Sequence, residues 1–502
     1  MRSVEFVEGA KIGGRFTIDD GRSILGDLTI SGTQTALYLH DADFFHIKHE
    51  RARCIQGVLH DRTKITLIDS HVRSSLGSST RYDESFHFAE LNPAYVITGS
   101  HHLAGDVPEV AKVTFHVDDA ETIFYDFDAI GRIIDARPLI EKVVAANEQL
   151  IGRKIPVGPR PEIAYFAGRV DLLEVDAVVG RVRVYHQPTP SQPLAIAEAG
   201  IRNRTLIEVR FAKPKLLGDS LDTVLQLLRF VEILAGRPQN IDDLWIGTSG
   251  DNGSLPLSVY WAIPPHRPSI WEERVPHPTS ILVPIIDDTA EFGAILQRWL
   301  DADADRLEAR VRFSSGFEQQ RSFSIDRLVG AANMFDILPD SAFTAVPPLE
   351  AAMLDARAAA KKAFRNLSRS PERDSILSAL GRLGRPTLRS KIRQRAEIVS
   401  QALREPLTDL DLVIDEAVKC RNYYVHGSPG SFSYAEHAGI TTFFTGALEF
   451  LFAASDLIEA GWDIAAWQRR SGVLAHPFRL VIHQWSEMAA KIRKLRPVIP
   501  TD

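Results

Sequence analysis

The stretch TDLDLVIDEAVKCRNYYVHG, residues 408–427, decides how the C-terminal part of this chain is read. Leu410, Val413, Ile414, Ala417, Val418 and Tyr424 recur at helical spacing and supply one buried stripe. Thr408 with Asp411 opens the helix and Gly427 stops it just after His426. Asp415, Lys419, Asn422 and His426 are spaced i, i+4, i+7 and i+11, which puts all four on one face. Arg421 lies beside the stripe, about 100° round from Asn422.

Working outward, the sequence from Pro348 onward is helical throughout. Leu349–Leu367 forms a first helix. Ser370-Pro371 opens a second that Gly381 and Gly384 close, and Thr387 opens a third reaching about Leu403. Ser433 to Glu436 reads as a capping box for a long apolar fifth helix to about Glu459, and a sixth follows near 476–495. Six helical segments with short connections predict a bundle.

Toward the N-terminus the periodicity changes to two. Residues 54–72 and 110–117 alternate apolar and polar side chains with turn signals between them, and 181–188 and 205–211 read as further strands. A short helix falls near 139–150. A longer one, capped by Asp219 or Ser220, ends at Gly236, and another lies near 288–300. The expected class is α+β multidomain, a β-rich N-terminal region followed by an all-α bundle. Expected boundaries are 1–255 for the β-rich part, 256–345 for a mixed connecting subdomain, and 346–502 for the bundle with its C-terminal extension.

A chain of 502 residues exceeds what one hydrophobic core supports, and its 45% apolar and 25% charged content is that of a soluble globular protein. No apolar run approaches 18 residues, and MRSVEFVEGAKIGGRF lacks the apolar centre of a signal peptide. Cys54 and Cys420 are the only cysteines, which argues against a disulfide framework or thiolate zinc site and fits a reducing cytoplasm. The net charge of −7 is unevenly spread. Residues 346–502 hold 22 Lys and Arg against 17 Asp and Glu, whereas the first 345 hold 36 against 48. A phosphate-bearing partner therefore suits the C-terminal part, with a solvated basic helical face as the ordinary alternative.

An arginine, an asparagine and a histidine converging at one helix end suit cleavage of RNA. The substrate's own 2′-hydroxyl attacks, so the site must supply only a base, an acid and a cation for the phosphate. Imidazole performs proton transfer near neutrality, and guanidinium matches phosphate oxygens with a fork of donors. The helix C-terminus and nearby Asp415 are expected to favour the imidazolium form of His426. One histidine cannot easily act as both acid and base, so a two-fold dimer bringing two such helices together is expected. The spacing alone also suits a capping histidine and a surface arginine bonding the last carbonyls.

At RNYYVHG, 421–427, the chain resembles the HEPN superfamily, whose signature is written Arg-Asn-x-x-x-His. IQGVLHDRTKITLID (55–69) and LLRFVEILAGRPQNIDDLWI (227–246) resemble the ApeA-like anti-phage defence proteins. The resemblance implies a helical bundle that dimerises and a metal-independent ribonuclease site at the dimer interface. Arg421 and His426 would be its catalytic pair, Asn422 an orienting group, and Asp415 or Glu416 an upstream helper. It further implies an abortive-infection effector that cuts tRNA or other host RNA, needs no cofactor, and carries an N-terminal domain that senses a phage component, in the cytoplasm and away from membranes.

Other features are weaker. KKAFRNLSR (361–369) and LRSKIRQR (388–395), with Arg382 and Arg385 between them, offer a basic track toward the pair. Lys419, Arg389, Arg393, Arg382 and Arg385 are the substrate-binding candidates. His46, His49 and Cys54, and the pair His101-His102, match no standard metal spacing. GRLGRP (381–386) reads as a helix–helix loop and TSGDNGS (248–254) as a turn. Trp462, Trp467 and Trp485 are expected in a core or interface. A non-catalytic HEPN scaffold binding nucleotide or protein is the competing reading, and a carbohydrate-binding module fused to a helical oligomerisation domain is a third.

Overall fold

The computed structural model describes residues 6–18, 21–45, 47, 51–81, 84–191, 200–250, 255–264, 275–319, 322–345, 348–470 and 474–496. His46, His49 and parts of 248–254 and 346–348 lie outside these. The chain divides into two compact units, Met1–Asp301 and Ala302–Asp502.

The first unit is built on β1 (Lys11–Thr17), β2 (Ser23–Thr29), β3 (Ala36–Asp41), β4 (Arg51–Leu59), β5 (Lys64–Arg81) and β6 (Glu84–Asn92). They are joined in the order β5-β4-β1-β2-β3-β6, and β6 pairs back onto β5, closing a barrel. Alternation makes the interior: in β2 Ile24, Gly26 and Leu28 are buried while their neighbours face out. Gly26 is required there, because an added Cβ would sit 2.9 Å from atoms of both Phe16 and Leu39. Phe16, Leu28, Leu37, Ile65, Leu67 and Leu91 fill the centre.

The length of β5 lets one strand both close the barrel and carry the sheet beyond it. Lys64–Ile68 pairs with β7 (Tyr95–Gly99), whereas His71–Arg81 pairs with β6. Beyond β7 the sheet runs on through β15 (Leu257–Trp261), β14 (Ile241–Thr248), β8 (Val110–Val117), β13 (Gly200–Lys215), β12 (Gly180–Ser191) and β11 (Asp171–Ala177). β9 (Ile130–Ile133) and β10 (Ile163–Phe166) form a separate ribbon. Helices α1 (Ala120–Ile123), α2 (Arg137–Ile151), α3 (Leu217–Ala235) and α4 (Thr289–Asp301) complete the unit. α3 packs on β8, so β8 is buried on both faces rather than alternating. α3 also starts earlier than its expected cap. Leu216 precedes the first turn, Asp219 lies inside it, and the Ser220 hydroxyl donates to the Leu217 carbonyl. Gly236 does end it, in the left-handed conformation.

The second unit is helical: α5 (Asp303–Phe317), α6 (Ile325–Ile337), α7 (Ala351–Arg365), α8 (Pro371–Arg382), α9 (Leu388–Ala402), α10 (Leu410–His426), α11 (Ala438–Glu459), α12 (Ile464–Arg469) and α13 (Pro477–Leu495). α11 is the central rod, flanked by α6, α9, α10 and α13. With the turn before it, it is the one described stretch long and apolar enough to cross a membrane, and 78% of its apolar window is buried inside the unit. An apolar run near 18 residues therefore exists after all, and neighbouring helices cover it.

The expected division at 345/346 differs from the units observed. α5 and α6 dock on α11 through buried ion pairs: Arg310 to Asp456 at 2.9 Å and Arg327 to both carboxylate oxygens of Glu449 at 2.8 and 2.6 Å. Phe313 and Phe335 both contact Phe452. Side chains on α11 thus draw residues 302–345 into the helical unit. The extension after 461 also packs inside it, with Trp485 against Phe443 and its indole N–H on the Thr408 carbonyl at 2.9 Å. Trp462, Trp467 and Trp485 are all buried.

Helix starts were only partly readable. Ser370 and Thr387 cap α8 and α9, accepting from Arg373 N and Ser390 N. The box at Ser433–Glu436 does not form, since Ala435–His437 makes a 3₁₀ turn and α11 begins at Ala438. Nor does Thr408 cap α10. Asp409, at φ 54°, precedes it, and Asp411 instead pairs with Arg393 at 2.9 Å.

Candidate active site

α10 buries Val413, Ile414, Ala417, Val418 and Cys420 against the bundle, and this fixes its rotation. Its last turn projects beyond that core. Gly427 adopts the left-handed conformation, and its N–H bonds the Tyr423 carbonyl, ending the helix directly after His426. His426, Tyr423 and Val425 are exposed there, whereas Arg421 and Asn422 are half-buried.

The Arg421 guanidinium organises this end. Its Nη1 donates to Asn422 Oδ1 at 3.0 Å and to His426 Nε2 at 3.1 Å. Its Nη2 donates to Asn333 Oδ1 at 3.1 Å, from α6. Arginine has donors only, so Nε2 of His426 accepts and the ring proton sits on Nδ1. An imidazolium, the charged form expected from the helix end and Asp415, could not accept this bond. Asp415 cannot supply that charge: eleven residues of helix separate it from His426 by about 16 Å. Sharing a helix face brought the two residues into line, not into contact.

Asp415 faces α9, at 2.8 Å from Arg393 Nη2 and 3.2 Å from Arg389 Nε. Glu416 points into the bundle, fully buried. Its Oε1 accepts from Lys419 Nζ (3.0 Å) and the Ser431 hydroxyl (3.1 Å) and pairs with Arg496 Nε (3.1 Å). Burial, with the Glu416 charge added, pushes the Cys420 thiol up to about 12 and leaves it unreactive. Neither acid approaches the Arg421–His426 pair. Glu416 binds the end of α13 and the loop after α10 to the helix that carries the pair.

Of the five substrate-binding candidates, three have carboxylate partners: Arg389 and Arg393 on Asp415, and Lys419 on Glu416. Arg382 and Arg385 are exposed at the end of the α7–α8 hairpin and have no carboxylate within ion-pair distance among the described residues. Neither α7 nor α8 contains a buried residue. Asn333 was missed in the sequence. An amide among Leu328, Ala331, Ala332, Met334 and Phe335, all buried, was the available signal.

Among the described residues no group of three or more His, Cys, Asp or Glu side chains is placed to hold a metal ion. His101 and His102 instead contact Thr248 Oγ1 and the Ile65 carbonyl, at 3.0 and 3.1 Å.

Two family models match the chain. The model for ApeA N-terminal domain 1 covers residues 11–146 and 186–299, and that for the Apea-like HEPN domain covers 329–465. The second spans Asn333, Arg421, Asn422 and His426, and leaves α5 and α13 outside. No curated protein and no solved structure matches the chain. A β-barrel with added strands under the first model and a helical bundle under the second agree in order and class, and the chain belongs to the ApeA-like HEPN proteins.

Proposed function

We propose that this protein is a metal-independent endoribonuclease whose activity serves abortive-infection defence against phage. The observation that carries the reading is the Arg421–His426 hydrogen bond at an exposed helix end, braced by Asn422 and Asn333. When a phosphate displaces the guanidinium from the imidazole, Arg421 gains a bidentate anionic partner and Nε2 of His426 becomes free as a base. Nε2 takes the proton of the RNA 2′-hydroxyl, and the 2′-oxygen bonds to phosphorus. The bond to the 5′-oxygen breaks, and that oxygen takes a proton from a second histidine held as imidazolium, which becomes neutral imidazole, leaving a 2′,3′-cyclic phosphate and a 5′-hydroxyl.

The second imidazole would come from a second copy across a two-fold axis. Tyr423 and Val425, each 41% exposed beside the pair, supply apolar surface for that contact. tRNA or other host RNA is the proposed substrate. The acidic N-terminal unit would serve as the sensor for a phage component, in the cytoplasm. Incubation of wild-type and Arg421→Ala protein with tRNA in EDTA tests the reading. Cleavage by the wild type alone, with cyclic phosphate ends, supports it; cleavage that the variant retains, or that EDTA abolishes, rejects it.

A further inference from the structure

The strongest feature outside that site is a cavity of about 290 Å³ in the helical unit, formed where α12 and α13 meet the residues after α9. Arg404, Trp467, Arg479 and His483 line it, with Leu474 and Ile482 as its apolar wall. It lies beside the start of α10, so the length of that helix, about 24 Å, separates it from His426.

One of its cations is held in place by neighbouring carbonyls and an aromatic ring. Arg479 Nη2 donates to the Trp467 and Arg470 carbonyls, both at 2.9 Å, and its guanidinium lies 4.5 Å from the centre of the Trp467 ring. These contacts fix the guanidinium, but its buried Nε has no hydrogen-bond partner. The indole N–H of Trp467 is also without one, on a side chain only 1% exposed. A buried tryptophan N–H ordinarily finds an acceptor. Among the described residues neither Arg404 nor Arg479 has a carboxylate within ion-pair distance, although Glu405 shares the rim. Burial, reinforced by the like charge of Arg470, pulls the Arg479 guanidinium below the ordinary arginine range.

We infer that this cavity is an anion site that takes a phosphomonoester. Donors come from three side chains on two elements: Arg404 after α9, and Arg479 and His483 on α13. That arrangement suits the three free oxygens of a tetrahedral dianion better than the two oxygens of a planar carboxylate. The volume exceeds that of the phosphate group alone, and Leu474 and Ile482 give the ester's organic part an apolar wall. The inference is independent of RNA cleavage.

The test measures thermal stability and binding heat of the full chain with inorganic phosphate, with acetate, and with chloride at matched ionic strength. Phosphate should raise the melting temperature in a saturable way where chloride does not. Arg404→Glu and His483→Glu, at exposed positions, should each weaken phosphate binding at least tenfold, whereas Arg421→Ala should bind as the wild type does. A nucleoside monophosphate that binds more tightly than phosphate supports a ligand with an organic part. Four results overturn the proposal: phosphate acting no better than chloride, acetate matching phosphate, full binding by both charge-reversed variants, or loss of binding in Arg421→Ala, which would place the phosphate at the RNA site.

Discussion

Asn333 on α6 accepts a hydrogen bond at 3.1 Å from the guanidinium of Arg421 on α10, 88 residues further along the chain. That contact fixes which way the arginine fork points, and so which ring nitrogen of His426 it meets. Asn333→Ala should therefore slow RNA cleavage by roughly tenfold, the worth of about one hydrogen bond, while Arg421→Ala should cost far more. Single-turnover rates on tRNA measure both. Equal losses in the two variants would mean that Asn333 does more than orient the arginine.

His426 is exposed and contributes nothing to the core. His426→Ala should lower cleavage by about 10²–10⁴-fold, the range for a lost general base. Its unfolding free energy should stay within about 0.5 kcal/mol of wild type, as for other surface changes. Denaturant titration beside the activity assay separates the two effects.

Asp415 and Glu416 are neighbours with different consequences. Glu416 is fully buried with Lys419, Ser431 and Arg496 on one oxygen, so Glu416→Ala empties that space, breaks three contacts that tie α13 and the following loop to α10, and should cost about 1–3 kcal/mol. Asp415→Ala removes a half-exposed contact with α9 and should cost under about 1 kcal/mol. Urea midpoints of the two variants decide the matter. A Glu416→Ala protein of wild-type stability but without activity would return this acid to the catalytic site.

In the N-terminal unit, His116 lies 3.1 Å from both Asp242 and Glu121. Burial opposes its charge, but hydrogen bonds to these two carboxylates outweigh that and raise it from 6.5 to about 9. The folded value lies above the unfolded one, so the stabilisation is complete below about pH 6.5 and is lost as pH rises through 9. Stability of the wild type should fall across that window, and His116→Gln should flatten the dependence. Denaturant midpoints at pH 6, 8 and 10 provide the check.

What could be read in the sequence was what is local. The strand alternation of 54–72, the cap at Thr387, the stops at Gly236 and Gly427, and the Arg421–His426 spacing each depend on residues within a turn or two of each other. Backbone geometry sets those periods, so a short window contains them. The closure of β6 onto β5, the docking of α5 and α6 on α11, the opposite surroundings of Asp415 and Glu416, and the arrival of Asn333 beside Arg421 were decided by tertiary structure alone. Most of these join groups far apart in the chain. Which donor meets which carboxylate depends on how buried faces pack, and helical periodicity assigns a direction to a side chain without naming what waits there.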